Sequence, residues 1–492
     1  MSKIKLSAVA IAAMTMFCGA ANAQYYAASG SSALRATTLQ LFANDCAGGA
    51  ATIQVFQAVA AEGGSNVRAA RCGATGGKTF SLDTDGGSYR AHAVLPANLA
   101  VINAQAAALG DPNVKPVRYL DLTLCPTAGG TLAAPVNCSA GAAKIVQASN
   151  AAEPKSVSMG LADVNPAFFD GLAGVGLGET LNIPNGFSGW KKITGANPSG
   201  PALGIVFGVA ASRDLIQALM VDQGITQANS PTCWTNATTA DLTIEACAPT
   251  ISKDQYRSIA SANFGQLNQS LANLFSGAVP ATITAAGVHL ERRDWGSGTQ
   301  ALTNNFFHGV GCSPYFLPPA SASDSDGVSY FVRENNATGD VINNLKPAGT
   351  VALGVVSREN AASNGAGTAA DAGWGFLKLG ADKGAIYTAL TGNAVANGVA
   401  VQGAYPNQNN AVRGLYDFWT VGWVHTNPAA SADIKTLANN LLAGTGFTPG
   451  AGTFKLAQLT SGTNGLSTAT VTTGTYYSKT DMSGACGGAT SN

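Results

Sequence analysis

Short apolar runs alternate with helical patterns along most of this chain, and this alternation limits the fold more than any other feature of the sequence. Three runs are short, apolar and bounded by Gly or Pro, which indicates strands buried on both faces; they are 156–162, 204–209 and 351–356. After Ser212 and Ser252, in contrast, apolar residues recur at helical spacing, as in a helix with a capped first turn. Strand, short loop and capped helix in succession predict an α/β fold.

The charge of the chain excludes two classes of partner. Its 492 residues include 27 Lys and Arg against 27 Asp and Glu, and charged residues make up only 11% of the sequence. A neutral chain without basic runs lacks the field that holds nucleic acid or anionic lipid. The hydrophobic fraction of 46% is that of a globular protein, and at roughly 100–200 residues per domain the length allows two to four domains.

Residues 1–23 are typical of a secretory signal peptide. Lys3 and Lys5 precede an apolar stretch over 6–16, and Ala-Asn-Ala at 21–23 is a small-x-small cleavage site. We expect the mature chain to begin at Gln24 and to lie in the periplasm or to be secreted. No later apolar run approaches the roughly 18 residues that a membrane-spanning helix requires.

Eight cysteines follow this leader, and an even number in an exported chain indicates disulfides. Proximity along the sequence favours Cys46–Cys72, Cys125–Cys138 and Cys233–Cys247, which leaves Cys312 to pair with Cys486. The alternative is a zinc site. Because the chain has no C-x-x-C motif and its four histidines lie far from any cysteine pair, we expect disulfides and no metal.

Two regions interrupt the alternation of strands and helices. Segment 110–153 contains two cysteines and many Gly, Ala and Pro residues, and the chain after Ala443 is rich in Gly, Thr and Ser. We interpret the first region as an irregular addition to the fold. The second forms either an edge hairpin between 460 and 477 or a loose segment, and its composition does not decide between them.

The segment 290–300, Leu-Glu-Arg-Arg-Asp-Trp-Gly-Ser-Gly-Thr-Gln, is the most informative in the sequence. It leads into a helical pattern, and small residues at a helix start expose backbone N–H groups that attract an anion to the positive end of the helix dipole. Arg293 lies four residues before Ser297 and carries a planar fork of donors suited to a phosphate-like oxyanion. The alternative is an ordinary helix cap with surface arginines.

Three further loops have related compositions. Segment 28–34 consists mostly of small residues before another helical pattern, and its alternative interpretation is again a capped helix. Segment 71–77 is glycine-rich with one hydroxyl residue, which is a weak signal by itself. Segment 157–166 places a lone carboxylate, Asp163, after a strand, where α/β folds bind ligands.

The order of these segments resembles the high-affinity phosphate-binding protein of bacterial phosphate ABC importers, a type II periplasmic binding protein. The resemblance rests on the small-residue loop, the Gly-x-x-Gly-Gly loop, the strand ending in Gly-x-x-Asp and the Arg-x-x-Gly-Ser-Gly-Thr motif at 293–299. It implies two mixed-sheet α/β lobes joined by two crossover strands, with a ligand cleft between them. Lobe I would comprise 24–205, with 110–153 as an insertion; lobe II would comprise 206–354; and 355–492 would return to lobe I and end in the Gly/Thr-rich tail.

The resemblance also implies a set of ligand-binding residues. They are Ser32, Ala33, Thr75, Asp163, Arg293, Ser297, Gly298 and Thr299. Two positions depart from the family's pattern. Ala74 falls where the family usually has a hydroxyl, and Trp295 stands two residues before Ser297, where an acidic residue is usual.

These features predict a monomeric extracytoplasmic solute-binding protein that captures phosphate or a phosphate-like oxyanion and delivers it to the membrane subunits of an ABC importer. In this interpretation Asp163 accepts a hydrogen bond from a protonated ligand oxygen, which favours HPO₄²⁻ over fully ionised sulfate. We expect no cofactor, no metal and no catalytic residue.

Two other functions remain open on the same scaffold. A secreted surface or matrix protein without a ligand fits the low charge, the insertion and the tail. A phosphomonoesterase would depend on Ser297 or His308. Against an enzyme, the sequence has no G-x-S-x-G, H-E-x-x-H or Walker motif, and its four histidines are scattered singly. The aromatic cluster at 415–419 indicates core or hinge packing rather than a sugar-stacking platform.

Overall fold

The computed structural model describes most of the chain after the leader. The described residues are 24–73, 77–109, 115–147, 156–164, 198–260, 272–294, 296–308, 322–323, 330–380, 403–412, 415–456 and 458. Four features predicted from the sequence lie outside these ranges: the leader 1–23, Thr75, the Cys312–Cys486 pair and the 460–477 segment.

The described residues form nine α-helices and eighteen strands. The helices are α1 (Arg35–Asn44), α2 (Pro96–Leu109), α3 (Arg213–Asp222), α4 (Lys253–Ala260), α5 (Ala281–Ala286), α6 (Gly298–His308), α7 (Thr338–Leu345), α8 (Gln408–Val412) and α9 (Ala432–Ala443). The strands are β1 (Tyr25–Gly30), β2 (Ile53–Gln57), β3 (Val67–Cys72), β4 (Thr79–Asp83), β5 (Arg118–Leu120), β6 (Val136–Asn137), β7 (Ala143–Ile145), β8 (Met159–Ala162), β9 (Ser199–Ser212), β10 (Thr250–Ser252), β11 (Val288–Arg293), β12 (Ala322–Ser323), β13 (Tyr330–Asn335), β14 (Ala352–Ser357), β15 (Trp374–Phe376), β16 (Lys378–Gly380), β17 (Trp419–Thr426) and β18 (Thr453–Lys455).

Fourteen of these strands form one mixed sheet whose two halves share strand β9. The first half contains β1, β2, β3, β4, β6, β8, β17 and β18, and the second half contains β11, β12, β13, β14 and β15. The order is β12-β13-β11-β14-β9-β17-β8-β1-β4-β3-β2-β6, with β15 and β18 also paired to β9. Strand β1 runs parallel to β4 and β8, and β11 runs parallel to β13 and β14, whereas β9 is antiparallel to its neighbours. A mixed sheet with helices between its strands confirms the predicted α/β class.

Strand β9 is long enough to belong to both halves of the sheet. Its residues 199–206 pair with β17, and its residues 207–212 pair with β14 and β15. At the changeover the Tyr416 hydroxyl donates to the Phe207 carbonyl, and Phe418 stacks on Phe306 with ring centroids 4.5 Å apart. The buried part of the 415–419 cluster therefore packs where the halves join. The lobe boundary expected at 205/206 falls within β9, and the boundaries themselves remain predictions.

The helices predicted after Ser212 and Ser252 both form, but only the second has its expected cap. Ser252 Oγ accepts a hydrogen bond from Gln255 N, and Gln255 Oε1 accepts one from Ser252 N, so α4 begins with a reciprocal capping box. Before α3 the Ser212 hydroxyl makes no cap, because its oxygen accepts a hydrogen bond from Ala352 N on β14. Sheet pairing thus engages a side chain that the local sequence favours for the helix.

Three cysteine pairs lie at disulfide distance, and they are the pairs favoured by proximity along the chain: Cys46–Cys72, Cys125–Cys138 and Cys233–Cys247. The first connects the end of α1 to β3. Segment 110–153, described over 115–147, is joined to the first half of the sheet because β6 pairs with β2 at the edge. Its other two strands, β5 and β7, pair with each other beside β3 and β4.

Candidate functional site

Three parallel strands of the first half end at one edge of the sheet, where their loops form the candidate site. Strand β1 lies between β4 and β8 and is parallel to both. The loop after β1 leads into α1, the loop 84–87 leads into a short 3₁₀ helix (Ser88–Val94), and Asp163 follows β8 directly. Because the carboxyl ends of parallel strands meet at the same edge, these three loops lie together.

The first loop is held against β8 by its backbone. Gly30 has a φ of 135°, and a Cβ at this position would collide with the Leu161 carbonyl, so only glycine fits. Ser31 N donates to Leu161 O at 2.8 Å, and Ala33 N donates to Ser31 Oγ at 3.1 Å. Ser32 is half-buried, and its hydroxyl has no partner among the residues that the structure describes. This hydroxyl is therefore available to a ligand.

The second half of the sheet contributes the start of α6 to the same place. Ser297 Oγ accepts a hydrogen bond from Gln300 N, and Gln300 Oε1 accepts one from Arg293 N, which fixes the first turn. Within the described part of the chain, no acceptor meets the backbone N–H groups of Gly298 and Thr299. Two donors at the positive end of the helix dipole thus have no partner among the described residues.

Asp163 lies against this helix start. A Cβ added to Gly298 would lie 2.5 Å from Ser88 Oγ and 2.7 Å from Asp163 Cβ, so the glycine permits the close approach. The Asp163 backbone N donates to Ser88 Oγ at 2.9 Å. The carboxyl group is only 5% exposed, and its Oδ1 has no hydrogen-bond partner among the described residues. Such an oxygen is costly to bury unless a ligand completes its bonding.

The ionisation of Asp163 reflects this environment. Burial, with a further contribution from the nearby Glu359, raises the pKa of its carboxyl group to about 7, against the opposing effects of Arg293 and Ser88. The group therefore exchanges its proton near neutral pH. A bound ligand that donates a hydrogen bond would favour the ionised form, and a ligand that only accepts would favour the protonated form.

Arg293 takes a different position from the one expected. Its Nε donates to Asn335 O, its Nη1 to Thr338 Oγ1 at 2.8 Å and its Nη2 to Asn336 O at 2.9 Å. The guanidinium is thus largely engaged within the second half, at the turn before α7. Its positive charge still acts on Asp163, so Arg293 contributes to the field of the site and anchors the loop that carries α6.

The structure brings six of the eight predicted ligand-binding residues to this edge. They are Ser32, Ala33, Asp163, Ser297, Gly298 and Thr299. Arg293 lies beside them with its donors turned to the 335–338 turn, and Thr75 is outside the described residues.

A second glycine loop, Asp85-Gly86-Gly87-Ser88, reaches the site and is not among the loops predicted from the sequence. Its signal is a Gly-Gly-Ser that follows the apolar alternation of 79–83 and precedes a helical turn. Gly87 has a φ of 85°, and a Cβ there would collide with the Gly296 carbonyl. Tyr89 N donates to that carbonyl at 3.2 Å, so a backbone hydrogen bond joins the two halves beside Asp163.

A buried ionic cluster holds this second loop. Arg90 Nη2 donates to Asp83 Oδ2 at 2.7 Å, Arg118 Nη2 donates to Asp85 Oδ2 at 2.8 Å, and Lys115 Nζ lies 2.9 Å from Asp85 Oδ1. Burial alone would raise the pKa of Asp83, but Arg118 and Arg90 lower it to about 2. Since Lys115 and Arg118 come from segment 110–153, this segment supports the site as well as the sheet edge.

The two residues named for the phosphomonoesterase alternative lie apart from each other. Ser297 precedes α6 and His308 ends it, so they are eleven residue steps of about 1.5 Å rise apart. Burial, together with the charge of Arg257, lowers the pKa of His308 to about 3. The two residues therefore cannot form one acid–base pair.

The described residues lack two other features. They contain no group of three metal-ligating side chains, and none of their helices has the length and hydropathy of a membrane-spanning segment.

A cavity of about 790 Å³ lies elsewhere, beside α3 in the second half. Trp234, Phe275 and Ile283 contribute to its wall, and none of the predicted ligand-binding residues does. Among the described residues its wall contains no basic side chain. It therefore suits an apolar guest better than a phosphate-like anion.

Comparison with known proteins gives a limited likeness. No protein-family model and no curated protein matches the chain. Among solved structures, one from Clostridium perfringens with bound phosphate, proposed to be a phosphate ABC transporter substrate-binding protein, has 9% identity and a TM-score of 0.34 over 85% of this chain and 92% of its own. An ABC-type phosphate transport receptor from Vibrio cholerae has 8% identity and a TM-score of 0.31 over 85% and 93%. A protein from Planctomyces limnophilus proposed to bind phosphate has 11% identity and a TM-score of 0.26 over 55% and 64%.

Proposed function

We propose that this chain is an extracytoplasmic binding protein for a tetrahedral oxyanion of the phosphate class, held where the loops after β1, β4 and β8 meet the start of α6. The observation that carries the proposal is the buried Asp163 Oδ1, which has no hydrogen-bond partner among the described residues and lies beside unused helix N–H donors. A protonated oxyanion supplies both of the missing groups, a donor for Asp163 and acceptors for the helix start.

Each oxygen of such a ligand has a partner in the proposal. The N–H groups of Gly298 and Thr299 and the hydroxyl of Ser32 donate to it, and neutral dipoles stabilise a dehydrated anion without a large positive charge. Arg293 supplies one positive charge from behind the α6 loop. This set accounts for oxyanion binding by a chain whose formal net charge is zero.

Asp163 provides the selectivity. HPO₄²⁻ donates a hydrogen bond to the ionised carboxylate, whereas sulfate has no proton and binds only when Asp163 is itself protonated. Because the pKa of Asp163 is raised to about 7 by burial, with Glu359 adding to the rise, the discrimination between phosphate and sulfate depends on pH. Sulfate competes weakly at pH 8 and better at pH 5.

Equilibrium dialysis with radiolabelled phosphate tests the proposal on mature protein freed of ligand by unfolding and refolding. We expect saturable uptake that excess sulfate fails to displace at pH 8, and that Asp163→Ala abolishes. Asp45→Asn, at an exposed carboxylate after α1, is the control and should bind as the unaltered chain does. Absence of uptake at pH 5 and pH 8 would refute anion binding and leave a scaffold without a ligand.

The remaining parts of the proposal concern the cell. A monomer that acts in the periplasm and passes its ligand to importer membrane subunits accords with the leader-like 1–23 segment. Mass spectrometry of the exported chain tests the expected start at Gln24. Co-purification from detergent-solubilised membranes, with and without phosphate, tests the importer.

A further inference from the structure

Two arginines and a glutamate lie near the oxyanion site described above and are not among its proposed ligand contacts. Arg35 is the first residue of α1, and Arg68 stands on β3, opposite Leu82 on β4. Glu359 follows β14, and the N–H of the preceding Arg358 donates to Val206 O on β9. Glu359 interacts electrostatically with both arginines and with Asp163, and Arg35 lies three residues after Ser32 of the oxyanion site.

Arg68 is poorly satisfied for a partly buried guanidinium. Its Nε is shielded from solvent and has no hydrogen-bond partner, and its Nη groups donate to no residue that the structure describes. Burial lowers the pKa of Arg68 to about 10, and the like charge of Arg35 adds to the effect. The side chain remains a cation at neutral pH. An unpaired cation in this position is unfavourable, and an anionic guest would relieve it.

Arg35, near Arg68, also has N–H donors without partners among the described residues. Its Nη1 donates to Ser65 O at 2.9 Å and to Asn66 Oδ1 at 3.2 Å, while its Nε and Nη2 have no partner among the described residues. These contacts place the Arg35 side chain at the turn that begins β3, and therefore near Arg68. The pair thus offers several unused N–H donors in a fixed orientation.

Glu359 does not neutralise the pair. It lies beyond ion-pair distance of both guanidiniums, and its only side-chain hydrogen bond among the described residues is the one that Ser357 Oγ donates to Oε1 at 3.4 Å. Burial raises the pKa of Glu359. Two cations therefore face one carboxyl group that forms an ion pair with neither of them.

We propose that the ligand carries a second anionic group beside its phosphoryl group, and that Arg68 and Arg35 bind this second group. The ligand class is then a diphosphate or a phosphate monoester with a carboxylate, rather than inorganic phosphate alone. The inference rests on the proposed oxyanion site, since it places the phosphoryl group at Asp163 and α6. The second anionic group would then lie on the side of the phosphoryl group that faces β3.

Isothermal titration of the mature chain with four compounds tests the inference: inorganic phosphate, glycerol 3-phosphate, pyrophosphate and 3-phosphoglycerate. We expect pyrophosphate or 3-phosphoglycerate to bind about tenfold or more tightly than phosphate, because a charge-assisted hydrogen bond to arginine contributes on that scale. Glycerol 3-phosphate, which has no second charge, should show no such gain. The better of the two doubly anionic compounds identifies the second group.

Arg68→Gln should reduce this preference to about one while leaving phosphate affinity within about threefold. Arg68→Lys should retain part of the preference, which guards against a variant that simply packs badly. Arg333→Gln, on β13 in the second half and 41% exposed, is the matched control and should change neither affinity. Thermal melts of all variants verify folding.

The outcomes separate the two proposals. If phosphate binds and pyrophosphate and 3-phosphoglycerate gain nothing, or if Arg68→Gln keeps the full preference, the inference is wrong and the oxyanion site stands. If none of the four compounds binds to the unaltered chain, the oxyanion site fails and the inference fails with it.

Discussion

Replacing Asp163 with Asn should stabilise the ligand-free protein at alkaline pH, although it removes the proposed selectivity. The carboxyl group is 5% exposed, and burial, reinforced by Glu359, raises its pKa from 3.8 to about 7. The difference is roughly three, and each pKa unit corresponds to about 1.36 kcal/mol, so the ionised carboxylate costs the folded state about 4 kcal/mol. The asparagine side chain has the shape of the aspartate without this charge.

The sign of the pH dependence follows from the direction of the shift. Because the folded-state pKa is the higher one, the unfolded chain releases this proton first, and stability falls as the pH rises from about 4 to about 7. Above pH 7 both states are ionised and the cost is constant. The advantage of Asp163→Asn should therefore be near zero at pH 4 and reach about 3–4 kcal/mol at pH 8.

Urea unfolding of ligand-free protein at pH 4 and pH 8 measures this difference, with the slope checked for equality between variants. Asp45→Asn serves as the control, because its carboxylate is exposed and should produce the same small effect at both pH values. A variant that is less stable than the unaltered chain at pH 8, or an advantage that does not depend on pH, would refute the account of Asp163 as a buried carboxylate without a partner.

Three other substitutions test the surroundings of the site. Gly298→Ala should remove anion-induced thermal stabilisation and cost about 1–3 kcal/mol, because its Cβ would lie 2.5 Å from Ser88 Oγ; unchanged stabilisation in a melt with phosphate would contradict the close approach. Arg118→Met should destabilise the protein by about 2–4 kcal/mol at pH 7, since it removes a partner from both Asp83 and Asp85. Arg118 and Arg90 hold the pKa of Asp83 at about 2 against the effect of burial, so the loss of stability should shrink as the pH falls from 4 to 2. A loss that does not depend on pH would contradict this. Replacing Cys125 and Cys138 together with Ala should cost about 2–4 kcal/mol and leave phosphate affinity unchanged in dialysis, because that loop lies at the sheet edge; lost affinity would show that it extends to the site.

The sequence predicts the parts of this fold that depend on local physics. Strands at 204–209 and 351–356 are buried on both faces, and their uniform apolar character is sufficient to identify them within β9 and β14. The start of α6 was also predictable from local sequence, because the cap at Ser297 and the exposed N–H groups after it lie within one helical turn. Asp163 was placed correctly at the end of a strand, since its position follows from the apolar run before it.

Features that depend on distant contacts were not predictable. The hydroxyl of Ser212 bonds to β14, some 140 residues away, so helical propensity alone could not foresee its loss as a cap. Arg293 is captured by the 335–338 turn, which comes next to it only because β11 pairs with β13. The role of Ser88 depends on β4 lying beside β1, and no pattern within 71–88 distinguishes its loop from the earlier glycine loop.

The hydrogen bond from Tyr89 N to Gly296 O ties the two halves of the sheet together. It lies beside Ser88, which bonds to the Asp163 backbone, at a point where Gly87 and Gly296 let the main chains touch. The two loops cannot move apart here without breaking this bond. The exchange rate of a single amide proton, that of Tyr89, would then report how often the contact between the halves opens.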